Sequence, residues 1–324
     1  MKLKLLLCGA AALACLMAWM PAHGVEGKLG GTLFGDYYYV ASGADKKQNG
    51  FEIRRVYLTY NLKWSDVFSG RVRLEAKDAG FGKGAKMEPF MKHAYLRYRK
   101  NDRAVYMGLS GTPTWSASEK AWGYRSVEKT IMDLHKIGSS ADLGVAFNGK
   151  LDASGKIRAQ LMLGNGSGQA SEVDNDKKVY ALLHVKPGKS AEATAYVDWE
   201  SKPGDMDRIT LAGYVGLPGK SLHGGIEGFV RINKNQAAGE DVQVRGLSVF
   251  SAREVSPMAN VFARFDVFDP SNKAGDDQEY LFIGGIDLMP AEDVHIMPNV
   301  LATVYQASGV DAVVIPRVTV WYNF

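Results

Sequence analysis

What constrains this chain most is a pattern that returns about every ten residues, in which apolar and charged side chains take turns along one stretch. In 68–78, Phe68, Gly70, Val72, Leu74 and Ala76 alternate with Arg71, Arg73, Glu75 and Lys77. A period of two puts the two sets on opposite faces of a β-strand. His93, Tyr95, Arg97 and Arg99 alternate in the same way with Ala94, Leu96 and Tyr98, and Glu192, Thr194, Tyr196, Asp198 and Glu200 with Ala193, Ala195, Val197 and Trp199. Similar rows run through Lys156–Arg158–Gln160, His223–Glu227–Phe229–Arg231 and Asn260–Arg264–Asp266. A soluble sandwich buries its apolar face against a second sheet about 10 Å away. A membrane barrel turns that face to lipid and lines a watery lumen with the charged one. Charged rows this long and this frequent predict the second: an all-β, transmembrane antiparallel β-barrel of about 16 strands. A count of about 14 or 18 stays open.

The gaps between strands alternate as well. Segments 41–50, 79–88, 111–140, 167–176, 233–239 and 270–277 are long and polar; 63–66, 100–103, 152–155, 187–190, 217–220 and 290–293 are short. Long loops on one rim and tight turns on the other are the habit of membrane barrels, and an even strand count puts both termini on the turn rim. Within 51–62 the parity slips at Arg54-Arg55, which predicts a bulge. Two segments fit less well: 105–110 is short, and in 242–253 the parity shifts near Gly246.

The last stretch places Val314, Pro316, Val318, Val320, Tyr322 and Phe324 on one face and Ile315, Arg317, Thr319, Trp321 and Asn323 on the other. Soluble domains usually end frayed and polar. An aromatic last residue closing an apolar row instead resembles the C-terminal signature of bacterial outer-membrane barrels, whose final strand ends in Phe.

At the front, Lys2 and Lys4 precede an apolar run from Leu5 to Met20 and a small-x-small site ending at Gly24. This predicts a cleaved secretory leader over 1–24 and a barrel over 25–324. The alternative, a membrane anchor, needs a longer apolar run. Both cysteines, Cys8 and Cys15, lie in the leader. Its removal excludes disulfide frameworks, thiol catalysis and Cys-ligated zinc. Beyond residue 24, 37 Lys and Arg nearly balance 35 Asp and Glu, but not evenly along the chain. Residues 50–130 hold 16 basic against 8 acidic side chains, and 131–324 hold 18 against 24, so one part of the barrel is basic and the rest acidic.

Several strings resemble the phosphate-selective porin O and P family of Gram-negative outer membranes. They are Phe51-Glu52-Ile53-Arg54-Arg55 with Tyr57, His93-Ala94-Tyr95-Leu96, Met107-Gly108-Leu109-Ser110-Gly111-Thr112-Pro113 and Leu163-Gly164-Asn165-Gly166. Phe262-Ala263-Arg264-Phe265-Asp266 with Asp269-Pro270, and Met297-Pro298-Asn299, complete the set in the family's order. The resemblance implies a 16-stranded trimeric porin in the outer membrane whose long third loop, here 111–140, folds into the lumen. It also implies partners: small hydrophilic or anionic solutes, outer-membrane lipid and lipopolysaccharide, with no nucleic acid. Phosphate-selective members carry dense lysine clusters around the pore. Here the third loop mixes Lys120, Arg125, Lys129 and Lys136 with Glu119, Glu128 and Asp133, so phosphate specificity does not carry over.

A pore selects by its width and by the charges at its narrowest point. Arg71, Arg73, Lys77, Arg97 and Arg99 share the lumen-facing parity on neighbouring strands, Arg55 joins them across the bulge, and Arg125 and Lys129 lie in the loop. These eight are the candidate pore-lining residues, and they predict an anion preference. Arginine suits the role because it stays charged and offers a planar fork to carboxylate or phosphate. The competing reading is that these cations pair with Glu75, Asp78 and loop acids to hold the loop down.

Enzyme readings find little support. The chain has no His-Glu-x-x-His, no Gly-x-Ser-x-Gly and no full Gly-x-x-x-x-Gly-Lys-Ser/Thr motif. Gly164-Asn165-Gly166-Ser167-Gly168 resembles a phosphate loop only superficially, and His93, His135, His184, His223 and His295 are scattered. No catalytic residue, cofactor or metal is expected; Asp174-Asn175-Asp176 and Asp276-Asp277 read as solvated loop acids before calcium ligands. Two readings other than a pore stay open: a barrel that sheathes a partner such as an electron-carrying cytochrome, and a soluble secreted β-protein.

Overall fold

The computed structural model describes residues 24–324. The leader assigned to 1–24 therefore lies, but for its last residue, outside the described residues. Sixteen strands form one closed antiparallel barrel. They are β1 (Glu26–Tyr39), β2 (Asn49–Lys63), β3 (Phe68–Ala76), β4 (Phe90–Lys100), β5 (Arg103–Gly111), β6 (Ala141–Lys150), β7 (Ile157–Gly164) and β8 (Lys178–Val185). The ring continues with β9 (Glu192–Glu200), β10 (Arg208–Leu217), β11 (Leu222–Ala237), β12 (Glu240–Ser256), β13 (Ala259–Asp269), β14 (Glu279–Ala291), β15 (Val294–Tyr305) and β16 (Val313–Asn323). Each strand pairs with its neighbours in sequence, and β16 closes the ring on β1. At that seam the Phe324 amide donates to Gly31 O at 3.1 Å and the Gly31 amide to Phe324 O at 2.7 Å. The terminal aromatic row thus belongs to the closing strand.

Parity decides which way each side chain faces. On β3, Val72 is 39% exposed while Glu75 is 2% exposed; on β9, Val197 and Trp199 are exposed while Tyr196, Asp198 and Glu200 are buried. Leu161, Leu211, Ile226, Leu247, Phe282 and Val300 extend the exposed apolar face around the barrel. A contiguous apolar face of this extent is uncommon on a soluble monomer and suits a hydrocarbon surround.

The bulge expected at Arg54-Arg55 is present. Phe34 pairs with Arg55 but Asp36 with Glu52, so β2 carries the extra residue. Both arginines then reach the interior, Arg54 to Asp36 at 2.5 Å and Arg55 to Glu75 at 3.1 Å. Gly35 fits there because a Cβ would stand 2.2 Å from Glu52 O.

Two sequence expectations need correction. Segment 233–239 is not a long loop. β11 runs on to Ala237 and turns through Ala238 and Gly239, with φ of 51° and 85°, into β12. Two successive left-handed residues match the twist of a tight hairpin. Nor does parity break at Gly246: β11 and β12 stay in one register from Leu222↔Arg253 to Asn233↔Val242. The apparent shift arises because Arg245 is exposed, on the same parity as Leu247 and Val249. Glycine stands at 246 because a Cβ there would meet Phe229 at 2.3 Å and Ile131 at 2.9 Å.

Ile131 belongs to the 112–140 segment between β5 and β6, which contains α1 (Ser116–Trp122) and α2 (Ile131–Leu134). Its side chains pack on strand residues of inward parity. The Trp122 ring lies 5.6 Å from Phe250 and 6.0 Å from Phe262, Tyr124 stacks on Phe262 at 4.2 Å, and His135 on Phe268 at 3.5 Å. Val127, Ile131 and Met132 are fully buried. Gly123, with φ of 72°, ends α1 by donating its amide to Glu119 O at 3.1 Å, the left-handed stop that favours glycine.

Candidate functional site: two kinds of arginine facing inward

The first kind holds the loop. Arg54 on β2 and Arg317 on β16 both donate to Val127 O, at 2.9 and 2.7 Å, and Arg264 on β13 donates to Lys129 O. Each has a carboxylate behind it. Asp36 on β1 takes Arg54 at 2.5 Å and Arg317 at 3.8 Å, and Asp266 takes Arg264. Four strands thus build one charged clamp on the loop, and β1 and β2 join β16 in it only when the barrel closes. On the loop's side Glu128 lies 3.9 Å from Arg317. Burial pushes the Glu128 carboxyl up, but Arg54 and Arg317 more than offset it, leaving the group below the ordinary carboxylate range. A further tie runs from Ser118 Oγ to Glu227 Oε1 at 2.6 Å.

The second kind holds nothing charged. Arg71, Arg73 and Arg97 donate Nε to Asn61 Oδ1, Thr59 Oγ1 and Ser69 Oγ, each at 2.8 Å. Among the described residues none of the three forms an ion pair. Aromatic rings lie between them: the Arg73 guanidinium is 5.0 Å from the Tyr57 ring centre, and Tyr95 and Tyr106 stand 5.3 Å apart edge to face. The register orders them from the turn rim upward, Arg97 beside Ser69, Arg71 opposite Tyr95, Arg73 opposite His93. Neutral acceptors orient these guanidinium groups without cancelling their charge.

The structure separates the other five candidates from this wall. Arg55 is 3.1 Å from Glu75, which also takes Lys92 at 3.2 Å, and donates to Tyr57 OH at 2.8 Å; its charge is largely spent on that pair. Lys77 lies one residue past the end of β3 and is exposed. Arg99 stands at the turn rim, 3.6 Å from Asp102, its side chain 55% exposed. Arg125 bridges Glu119 and Asp133 within the loop, at 3.0 and 2.9 Å. Lys129 is half-buried in the loop, and it is its carbonyl that meets Arg264. Strand parity does not say where a strand stops.

The acidic part of the barrel is mostly neutralised. Glu192 meets Lys186 at 2.9 Å and His184 at 3.1 Å, and Lys178 lies 3.2 Å from both Asp198 and Glu200. The residues that sequence reasoning did not single out as functional are Arg54, Arg264, Arg317 and Asp36. The strand faces of Arg264 and Arg317 were readable; the partners of all four were not, because those lie across the closure or on the loop.

No family model matches the chain, and no curated protein matches it. Solved structures do. An anion-selective porin from Comamonas acidovorans superposes with a TM-score of 0.67 at 12% identity, covering 93% of this chain and 100% of its own. The outer-membrane channel DcaP of Acinetobacter baumannii gives 0.69 at 14% identity, covering 94% and 99%. OmpF of Salmonella typhi, in complex with daunomycin, gives 0.67 at 10%, covering 93% and 98%. The resemblance to the phosphate-selective porin O and P family gains nothing from these and rests on its strings alone. At identities this low the likeness is one of fold, and the fold is that of the outer-membrane porins.

Proposed function

We propose that the protein is a porin of a Gram-negative outer membrane, a water-filled channel for passive diffusion of small hydrophilic solutes that prefers anions and assembles as a homotrimer. The observation that carries the anion preference is the unpaired row Arg71, Arg73 and Arg97. The charge beyond residue 24 nearly balances, so bulk electrostatics gives almost no preference. Local charge decides instead. In a narrow, partly desolvated channel the effective dielectric is below that of water, and screening over about 10 Å at 0.1 M salt leaves passing ions under the arginines' influence. The 112–140 segment, packed against inward-facing aromatics, supports a channel over a protein sheath, because it takes lumen space that an enclosed partner needs. The role is passage rather than catalysis.

Planar-bilayer recording in a salt gradient tests this reading. The wild-type channel is expected to show a reversal potential on the anion side that shrinks as salt rises. Replacing Arg71, Arg73 and Arg97 together with Gln should move it toward cations with conductance retained. A wild-type channel that prefers cations at low salt overturns the anion preference, and absence of conductance overturns the channel.

A further inference from the structure

β3 and β11 lie eight strands apart in a ring of 16, so they face each other across the lumen. On the β11 side, at the loop rim, a second basic cluster plays no part in the clamp or the arginine row. Lys178 opens β8, Arg208 opens β10, Arg231 lies on β11, and Lys136 follows α2. Together with the 166–170 turn they line a polar cleft of about 320 Å³.

Arg231 gives the cleft its chemistry. It is 9% exposed and donates Nε to Thr210 Oγ1 at 3.4 Å, yet among the described residues its two terminal nitrogens find no acceptor and no carboxylate pairs with it. A guanidinium fork that lines the cleft without an acceptor is available to an incoming anion, and a carboxylate or phosphate matches that fork. The nearby acids are held by other donors, save for Asp198 Oδ1, which is buried without a hydrogen-bond partner. Glu200 stands 3.2 Å from Lys178, 2.8 Å from Lys202 and 3.7 Å from Arg208. Asp198 is 3.2 Å from Lys178 and accepts the Tyr196 hydroxyl at 2.5 Å; Asp142 accepts from Tyr180 OH and the Gly166 amide, each at 2.8 Å. Lys136 is exposed and, among the described residues, unpaired. Five cations thus meet three carboxylates, and the excess charge sits on Arg231 and Lys136.

We infer that this cleft is a capture site for the oxyanion group, carboxylate or phosphate, of a solute arriving at the loop mouth. The inference rests on the channel reading and deepens it: Arg231 and Lys136 seat the anion before it passes the 112–140 segment, and Arg73, Arg71 and Arg97 receive it on the far wall.

The test uses the full-length protein twice. In detergent it is titrated calorimetrically with sodium phosphate and, separately, with sodium succinate. In bilayers the same ions are added to one side of a chloride current. Wild type is expected to bind saturably and to show a saturating fall in chloride current when the ion enters from the loop side. Arg231→Gln should raise the half-saturating concentration about tenfold or more, since a charge-assisted bond is lost. Lys136→Gln, at an exposed position that does not risk folding, should raise it severalfold. Arg71, Arg73 and Arg97 changed together to Gln should shift the reversal potential while a saturable binding step that Arg231→Gln weakens remains. A preference for one ion supports the site and names the oxyanion its solute carries. Absence of saturable binding, or wild-type binding in Lys136→Gln and Arg231→Gln, overturns it. Conductance without binding removes the site and keeps the channel; binding without conductance does the reverse.

Discussion

Arg73 and Arg317 differ in almost nothing that a linear sequence displays. Both stand on strands of clean alternation, both face inward, and both donate to a neighbour on the barrel wall. Arg317 lies between Asp36 and Glu128 and holds Val127 O at 2.7 Å. Arg73 has Thr59 and the Tyr57 ring. The first has its field cancelled and contributes to architecture. The second keeps its field and is free to act on ions. The comparison teaches that in this barrel the partner, more than the residue type, separates a clamp from a selector.

Removing a clamp should therefore cost far more than removing a selector. Asp36 is 4% exposed, and with Arg54 and Arg317 both changed to Ala it would be a buried carboxylate without a cation, a loss of about 3–5 kcal/mol. The double variant is expected to convert to its unfolded gel band at a markedly lower temperature than wild type, and to conduct with larger, noisier steps as the loop loosens. Arg71, Arg73 and Arg97 changed to Gln should cost under about 1 kcal/mol each, since each loses one hydrogen bond to a neutral acceptor. If the two sets melt alike, the distinction between clamp and selector fails.

Next in size is the contrast between the two faces of one strand. Val72 faces outward between Tyr60 and Ala94, and its neighbour Arg73 faces in. Val72→Arg is expected to destabilise by about 2–4 kcal/mol if the residue sits near the bilayer midplane. Arg73→Glu should fold, because its face is wet. Yields of heat-modifiable barrel from the two variants, refolded side by side, measure this; equal yields break the parity assignment.

Much of this was legible in the residues alone, and for a physical reason. A membrane barrel repeats one local rule, outward apolar and inward polar, so every strand carries its own orientation. That is why Val72, Arg73, Val197 and Asp198 could be placed by alternation, and why the extra residue at Arg54-Arg55 announced its bulge. Pairing is not local. Asp36, Arg54 and Arg317 come from β1, β2 and β16 and meet only on closure, so no window of sequence contains the clamp. Strand ends fail for a related reason: alternation continues through Lys77 and Arg99, while the ladder stops at Ala76 and the turn at Asp102 claims Arg99. The 233–239 stretch misled in the other direction, its polar residues reading as a loop when Ala238 and Gly239 suffice to turn it.

The smallest expected effect separates loop docking from selectivity by pH. His135 stacks on Phe268 at 3.5 Å, and burial holds its imidazole down to about 4 from the ordinary 6.5; Asp266 and Glu128 pull it up and Arg264 pushes it further down. Above pH 6.5 the ring is neutral whether the loop is docked or free, so docking does not depend on pH. Between 6.5 and 4 the free loop takes a proton that the docked loop refuses, and docking weakens; below 4 both are protonated and the loss levels off. Glu119, which burial raises, works the other way in acid, so His135→Phe is the variant that isolates the histidine. Amide exchange at Leu134 and Ile137, whose bonds to Thr130 O and Met132 O are both 2.8 Å, should quicken in wild type between pH 6.5 and 4, beyond its intrinsic trend, and lose that quickening in His135→Phe. Arginine does not titrate in this range, so the contribution of Arg71, Arg73 and Arg97 to the reversal potential should hold while the loop loosens. Loss of that contribution in step with the quickened exchange would mean that the loop, and not the arginine row, sets the preference.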